Sequence, residues 1–271
     1  MTETPPRVLT IAGSDSGGGA GIQADLRTLF ACGVHGCVAL TAVTVQNSLG
    51  VTGVAEIPAE TVAAQIISVA EDIGVQAAKT GMLASAAIIE AITPALDRVG
   101  IGSGKTPFVV DPVSASMHGN QLLADNALDA LRGLLFPRAT LVTPNLDEVR
   151  LITGIEVKDR ADQRVAAEAL HSLGPRWVLV KGGHMWDDPE CLDLLYDGRE
   201  FIELSGPRYE IEHTHGSGDT LASSISSALA RGASVPEAVK FGKDFIVKSV
   251  AAAYPLGAGV GPVSPLWRLD R

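Results

Sequence analysis

Residues 8–30, VLTIAGSDSGGGAGIQADLRTLF, contain the unit from which the fold is read. An apolar run, Val8 to Ala12, meets a glycine-rich turn, Gly13 to Gly21, after which Ile22, Leu26, Leu29 and Phe30 recur at helical spacing. A second apolar run, Val38 to Val45, comes next. Strand, turn, helix, strand is the pattern of two parallel strands joined by a crossover helix. The unit then repeats. Strands are predicted at Val75 to Thr80, Phe108 to Asp111, Thr140 to Thr143 and Trp177 to Lys181, alternating with helical stretches around 59–73, 84–98, 122–135 and 160–173. The expected fold is α/β, with a mostly parallel central sheet flanked by helices on both faces.

Toward the C-terminus the order changes. Cys191 to Asp197, Glu200 to Leu204 and Tyr209 to Glu212 read as short strands joined by turns such as Asp197-Gly198, which predicts a small antiparallel edge. Two helices close the chain, one with Leu221, Ile225 and Leu229 on one face, the other from Val235 to about Ala253. No linker and no repeat divides residues 1–271, so one domain is expected.

Composition excludes several classes of function. The 271 residues are 46% hydrophobic, enough for a large core, and carry a net charge of -10, which opposes a broad nucleic-acid surface. Cys32, Cys37 and Cys191 are odd in number and lack metal-ligand spacing, so reduced thiols are expected. The first residues, with Glu3 and two prolines, do not resemble a secretory signal, and a cytoplasmic location is expected. Gly36 to Ala55 is free of Asp, Glu, Lys and Arg, a length that could span a bilayer. Gln46, Asn47 and Ser48 interrupt it and glycines recur at 50 and 53, so it reads as a buried strand followed by a loop, and no membrane partner is expected.

In open parallel sheets, ligands bind beyond the carboxyl ends of the strands. Polar punctuation falls there: Gly13-Ser14-Asp15, Gln46-Asn47, Gly81-Met82, Asp111-Pro112, Asn145 to Glu148, and Gly182-Gly183-His184. The sharpest local signal is His213-Thr214-His215-Gly216-Ser217-Gly218-Asp219, just before a helix. Gly216, Ser217 and Gly218 can turn backbone amides toward an anion at the helix N-terminus, which suits a phosphoryl group in transfer. Asp219 would then be a base, its carboxylate further favoured as an anion by the helix end. The alternative is a plain capped helix, with Asp219 or Ser217 satisfying free amides.

The Gly13 to Gly21 cluster lacks the Lys-Ser/Thr ending of a P-loop. Its segment Gly19 to Ala24 formally matches a dinucleotide fingerprint, but no Asp or Glu lies between Asp25 and Glu56 to hold a ribose. A glycine-lined wall against a flat substrate fits better, with Asp15 or Asp25 as polar contacts; a structural turn is the alternative. Asp111 and Glu148 could share a strand-end cleft and position hydrated Mg²⁺, or be a cap and a surface acid. Lys181 could meet phosphate, or snorkel to solvent.

Together, Gly13 to Asp25, Gln46-Asn47, Lys79-Thr80-Gly81-Met82-Leu83, Asp111-Pro112-Val113, Thr143 to Glu148, Lys181 to His184 and the 215–219 turn resemble the hydroxymethylpyrimidine and phosphomethylpyrimidine kinases of thiamine biosynthesis. Order and spacing match along nearly the whole chain. The resemblance implies a ribokinase-like fold and ATP-dependent phosphorylation of 4-amino-5-hydroxymethyl-2-methylpyrimidine, then of its monophosphate, with Mg²⁺. Carried over position by position, it implies that Gly13, Ala20, Asp25, Gln46, Met82 and Val113 line the pyrimidine pocket. It assigns Asn145, Lys181 and His215 to the ATP phosphates, and Asp111 and Glu148 to the metal. Gln46 suits its part, since an amide both donates and accepts toward an aminopyrimidine edge. A homodimer is also implied.

One position departs. The pyrimidine kinases usually carry Cys where this chain has Asp219, whereas ribokinases and several pyridoxal kinases carry Asp. An ionised carboxylate suits removal of an alcohol proton, while for the second transfer, onto an anionic phosphate, it is expected to repel the acceptor. Pyridoxal kinase is therefore the alternative activity; a nicotinamide-dependent oxidoreductase and a non-catalytic binding protein are weaker ones. Ser114 to Asn120 is expected to act as a flap that excludes water.

Overall fold

In the computed structural model, which describes residues 3–114, 125–183, 185 and 190–269, the opening unit folds as β1 (Arg7–Ser14), α1 (Gly21–Ala31) and β2 (His35–Asn47), with β2 parallel to β1. There follow β3 (Gly50–Glu56), α2 (Ala59–Asp72), β4 (Ala77–Thr80), α3 (Ala86–Val99), β5 (Phe108–Val110) and α4 (Asp125–Ala130), which runs into a π-turn at Leu131–Leu135. The chain continues through β6 (Leu141–Val142), α5 (Leu146–Thr153), α6 (Arg160–His171), β7 (Val178–Val180), β8 (Asp193–Tyr196), β9 (Phe201–Leu204), α7 (Ser217–Ala230) and α8 (Val235–Ala251). The expected flap beyond Ser114 lies outside the described residues.

These strands form one sheet of order β3-β2-β1-β4-β5-β6-β7-β8-β9, parallel from β2 to β7. The antiparallel members are β3 on one edge and β8 and β9 on the other.

Period-2 alternation sorts the apolar side chains to two faces. Leu9, Ile11, Phe108, Val110, Val142, Val178 and Val180 join a core with the α2, α3, α5 and α6 residues Ile66, Ile92, Val149 and Ala166. Val8, Ala77, Val109, Leu141 and Leu179 join Leu29 of α1, Leu221 and Ile225 of α7 and Phe245 of α8 on the opposite face. Each fully buried Leu or Ile contributes about 1.5–3 kcal/mol, so the two cores hold the strand ends, and the loops on them, in fixed register.

Three sequence expectations differ from the structure. Residues 48–55 are not a loop but the turn and most of β3, whose pairing with β2 runs from Ala42↔Glu56 to Asn47↔Gly50. Being an edge strand with mostly exposed side chains, β3 lacks the apolar alternation that marks a buried one. Tyr209 to Glu212 forms no strand; it is irregular chain along the wall of a cavity. The helical stretch at 122–135, described from Asp125 on, is α-helical only to Ala130, and its second half is the π-turn.

Candidate active site

The strand order reverses at β1, which has β2 on one side and β4 on the other. Such a switch point opens a crevice at the carboxyl ends of the strands. The Gly13 to Gly21 turn and Gly81-Met82 emerge there. Asp15 organises the turn: its Oδ1 accepts from the Gly17 amide at 2.8 Å, and its Oδ2 from the amides of Gly19 at 2.8 Å and Ala20 at 2.9 Å. Burial pushes the Asp15 carboxyl up, but the His215 hydrogen bond and these amides outweigh it and leave it below the usual carboxylate range. Asp15 thus braces the turn from within while bordering the cavity beside it.

α7 aims its N-terminus at the same crevice. Gly216 is its N-cap with φ of 73°, and no side chain caps the helix. A side chain at Gly216 would also put Cβ 2.1 Å from the Gly19 carbonyl oxygen, so this turn admits only glycine. The plain-cap alternative for Asp219 and Ser217 therefore does not hold. Asp219 reaches away from its own helix, its Oδ2 accepting from the Gly21 amide at 3.1 Å, while Oδ1 lies 3.5 Å from Lys79 Nζ. The Ser217 amide donates to the Thr214 carbonyl at 3.2 Å, and no side chain caps the amides that follow it at Gly218 and Asp219, beside the crevice.

Lys79 is fully buried in β4. Its Nζ donates to Asp25 Oδ1 at 2.9 Å, and Asp25 also accepts from Ser223 Oγ and Thr10 Oγ1, each at 2.6 Å. Burial opposes the ammonium, but Asp25, Asp219 and Asp111 together raise its pKa above that of a free lysine. Burial likewise governs Asp219: opposed by Lys79 and reinforced by Asp25 and Asp111, it lifts the carboxyl to about 6. The helix end was expected to hold Asp219 lower; desolvation outweighs it. At neutral pH the group is still mostly ionised, with a basicity closer to an alcohol-activating base than an exposed aspartate has.

A second cluster stands beside Gly218. Asp111, at the end of β5, accepts from Thr143 Oγ1 at 2.8 Å and from Lys181 Nζ at 3.1 Å. Lys181 Nζ is also 3.9 Å from Glu148 Oε2. Asn145 and Glu148 form a capping box on α5, which fixes the Glu148 carboxylate at a helix start. Burial pushes Glu148 up to about 7 despite Lys181. For Lys181, burial acts against the charge, and Asp111 and Glu148 outweigh it to raise the pKa. Asp111 and Glu148 line one cleft beside the α7 turn, and two carboxylates there are a donor set that fits a divalent cation. Among the described residues no three His, Cys, Asp or Glu side chains converge as a metal cage.

Two cavities meet at the α7 turn. One, of about 960 Å³, is lined by Gly13, Ala20, Gln46, Met82, Val113 and Asp219, and also reaches Asp111 and Glu148. The other, of about 680 Å³, has an apolar wall that includes Tyr209, Ile211, Val250 and Val260. Asn145, Lys181, Thr214, Ser217 and Gly218 border both. A group passing from one cavity to the other must cross the α7 amides.

Two expected residues are elsewhere. Asp25 is fully buried behind the wall, its carboxylate committed to Lys79, Ser223 and Thr10. His215 lines only the larger cavity, its Nε2 3.0 Å from Asp15 Oδ2 and 3.2 Å from Gln46 Nε2, whereas Lys181 borders both cavities. Lys79 had no expected role. Its signal was that it is the one charged residue in the apolar run 75–80.

The sequence profile of the phosphomethylpyrimidine kinase family matches residues 15–264. The hydroxymethylpyrimidine/phosphomethylpyrimidine kinase of Mycobacterium tuberculosis (strain H37Rv) is 60% identical over 267 residues, covering 98% of this chain and 96% of that protein. A thiamine biosynthesis bifunctional protein of Geobacter sulfurreducens is 45% identical over 257 residues, 95% of this chain and 51% of its own length. Among solved structures, the ADP complex of Bacillus subtilis pyridoxal kinase superposes with a TM-score of 0.90 at 37% identity, covering 98% of this chain and 100% of that one.

Proposed function

Because the chain belongs to the phosphomethylpyrimidine kinase family and is a phosphotransferase of thiamine biosynthesis, we propose that the α7 turn is where its phosphoryl group passes, with Asp219 as the base. The observation that carries this is the uncapped N-terminus of α7 between two cavities, with Asp219 turned out of the helix toward Gly21 and Lys79.

Hydroxymethylpyrimidine would lie in the larger cavity, its flat ring against Gly13, Ala20, Met82 and Val113, with Gln46 on its polar edge. ATP would enter the apolar cavity and extend its phosphates toward Asn145 and Lys181. Asp219 accepts the hydroxymethyl proton, and the amides of the Gly216 to Gly218 turn and the Lys181 ammonium stabilise the charge on the migrating group. Asp111 and Glu148 would hold Mg²⁺, which when bound supplies positive charge to the phosphates.

The second transfer uses an acceptor that is already an anion and needs no base. An Asp219 carboxyl near 6 can take up a proton at pH 7 for about 1.4 kcal/mol. That reduces the repulsion expected from the Cys-to-Asp departure. The departure to Asp, as a base for an alcohol, supports pyridoxal as a second acceptor, a reading also favoured by the likeness to pyridoxal kinase. A coupled ATPase assay with hydroxymethylpyrimidine, its monophosphate and pyridoxal in parallel tests this. Turnover of the first two, abolished by chelating divalent metal, is the expected result; turnover of pyridoxal alone would overturn the pyrimidine assignment.

The enzyme is further read as a homodimer, since Val43 and Val45 of β2 are 43% and 63% exposed. A light-scattering mass of one chain would contradict it. A cytoplasmic location is in keeping with three cysteines that form no disulfide, and fractionation checks it. Among the described residues no helix is long and apolar enough to cross a membrane.

A further inference from the structure

Gln46 cannot read a substrate edge unless its amide is held one way round, and the groups around it determine which way. Asp15 is an acceptor-only carboxylate already bound to three turn amides. Its 3.0 Å contact with His215 Nε2 therefore requires the proton on that nitrogen. With the amide nitrogen of Gln46 turned toward the ring, 3.2 Å from Nε2, two donors face each other. At the other end, Gln46 Oε1 at 3.2 Å competes with the Ser14 carbonyl at 2.7 Å for the single proton of Thr44 Oγ1. Turning the amide over removes both conflicts. His215 Nε2–H then donates to Asp15 and to Gln46 Oε1, Gln46 Nε2 donates to Thr44 Oγ1, and Thr44 donates to Ser14.

We infer that Asp15, His215 and Thr44 form a relay that fixes the orientation of the Gln46 amide, and so make His215 a specificity-determining positioning residue. The inference rests on the pyrimidine kinase reading. In the fixed orientation Gln46 has one N–H and one carbonyl lone pair left for a ligand. That pair matches a ring nitrogen acceptor beside an exocyclic amino donor, the edge of a 4-aminopyrimidine. A 4-oxo-pyrimidine presents a ring N–H beside a carbonyl, the reverse pattern, and requires the amide the other way round. The His215 ring is seated by Gly19, where an added Cβ would lie 2.3 Å from Cδ2. The strap formed by Val263 donating to the His215 carbonyl and His215 donating to Gly261 holds its backbone, at 3.1 and 3.2 Å.

The test compares kcat/KM for 4-amino-5-hydroxymethyl-2-methylpyrimidine with that for its 4-oxo analogue, in wild type, His215→Phe and His215→Gln. Phe keeps the ring and removes the N–H; Gln carries an N–H to about the same point. The amino-over-oxo preference should fall about tenfold in His215→Phe, through KM more than kcat, and stay within about threefold of wild type in His215→Gln. Thr44→Val, which removes the other anchor, should relax the preference in the same direction and serves if the Phe variant does not fold. An unchanged preference in folded His215→Phe, with the amino substrate still turned over, overturns the relay and leaves the kinase reading intact. Failure of wild type to phosphorylate the aminopyrimidine overturns both.

Discussion

Asp219→Asn lowers phosphorylation of hydroxymethylpyrimidine by about 10²- to 10⁴-fold, the range expected when a positioned general base is lost. The substitution keeps the size of the side chain and an oxygen able to accept from the Gly21 amide, which lies 3.1 Å from Asp219 Oδ2. What it removes is the capacity to take a proton. In wild type the active form is the carboxylate, and its pKa is lifted to about 6 by burial against the opposing Lys79 charge. The rate should therefore be level above about pH 7 and fall as pH drops through 6, tending to tenfold per unit below it. The Asn variant should lose that acid limb from its residual rate. A variant with near wild-type kcat, or one that keeps the limb at 6, would mean that another group takes the proton.

Lys79→Met has the largest expected effect on stability. The lysine is fully buried and donates to Asp25 at 2.9 Å, so its removal strands a carboxylate in the core between β4, α1 and α7. Breaking a buried pair from one side costs about 3–5 kcal/mol, which for a chain of this size is a fall in Tm of about 6–20 °C. The kinetic consequence has a defined sign. Lys79 favours the Asp219 anion from 3.5 Å, so without it the Asp219 pKa rises and the acid limb moves to higher pH. The double variant Lys79→Met/Asp25→Asn removes both charges, should recover much of the stability, and should bring the limb part of the way back, because Asp25 raises the Asp219 pKa. Thermal melts and pH profiles of the two variants separate the effects. An acid limb still at 6 in Lys79→Met would show that Lys79 does not tune the base.

The sheet was legible because the buried strands are predominantly apolar runs, each followed by polar or glycine punctuation. β3 was not, because an exposed edge strand containing Gly50 and Gly53 has neither an apolar run nor alternation. The same logic limits the site. Residues at strand ends, such as Asp111, Gln46 and Lys181, could be assigned to the crevice from position alone. Asp25 and His215 could not. Whether a carboxylate on α1 faces a cavity or a buried lysine depends on pairing across 54 residues with Lys79, and 198 with Ser223. The His215 ring is set on the larger cavity by its contact with Asp15, 200 residues earlier. Desolvation of Asp219 was also invisible, since the local motif shows the favourable helix end and not the burial that outweighs it.

The two acceptors together test the central claim that the α7 turn passes the phosphoryl group while Asp219 serves the alcohol. The measurement is turnover of hydroxymethylpyrimidine and of its monophosphate by wild type and Asp219→Ala, at the same pH and ATP concentration. The account predicts that the first falls about 10²- to 10⁴-fold while the second, which needs no base, stays within about tenfold. Full retention of hydroxymethylpyrimidine phosphorylation in the Ala variant would contradict it.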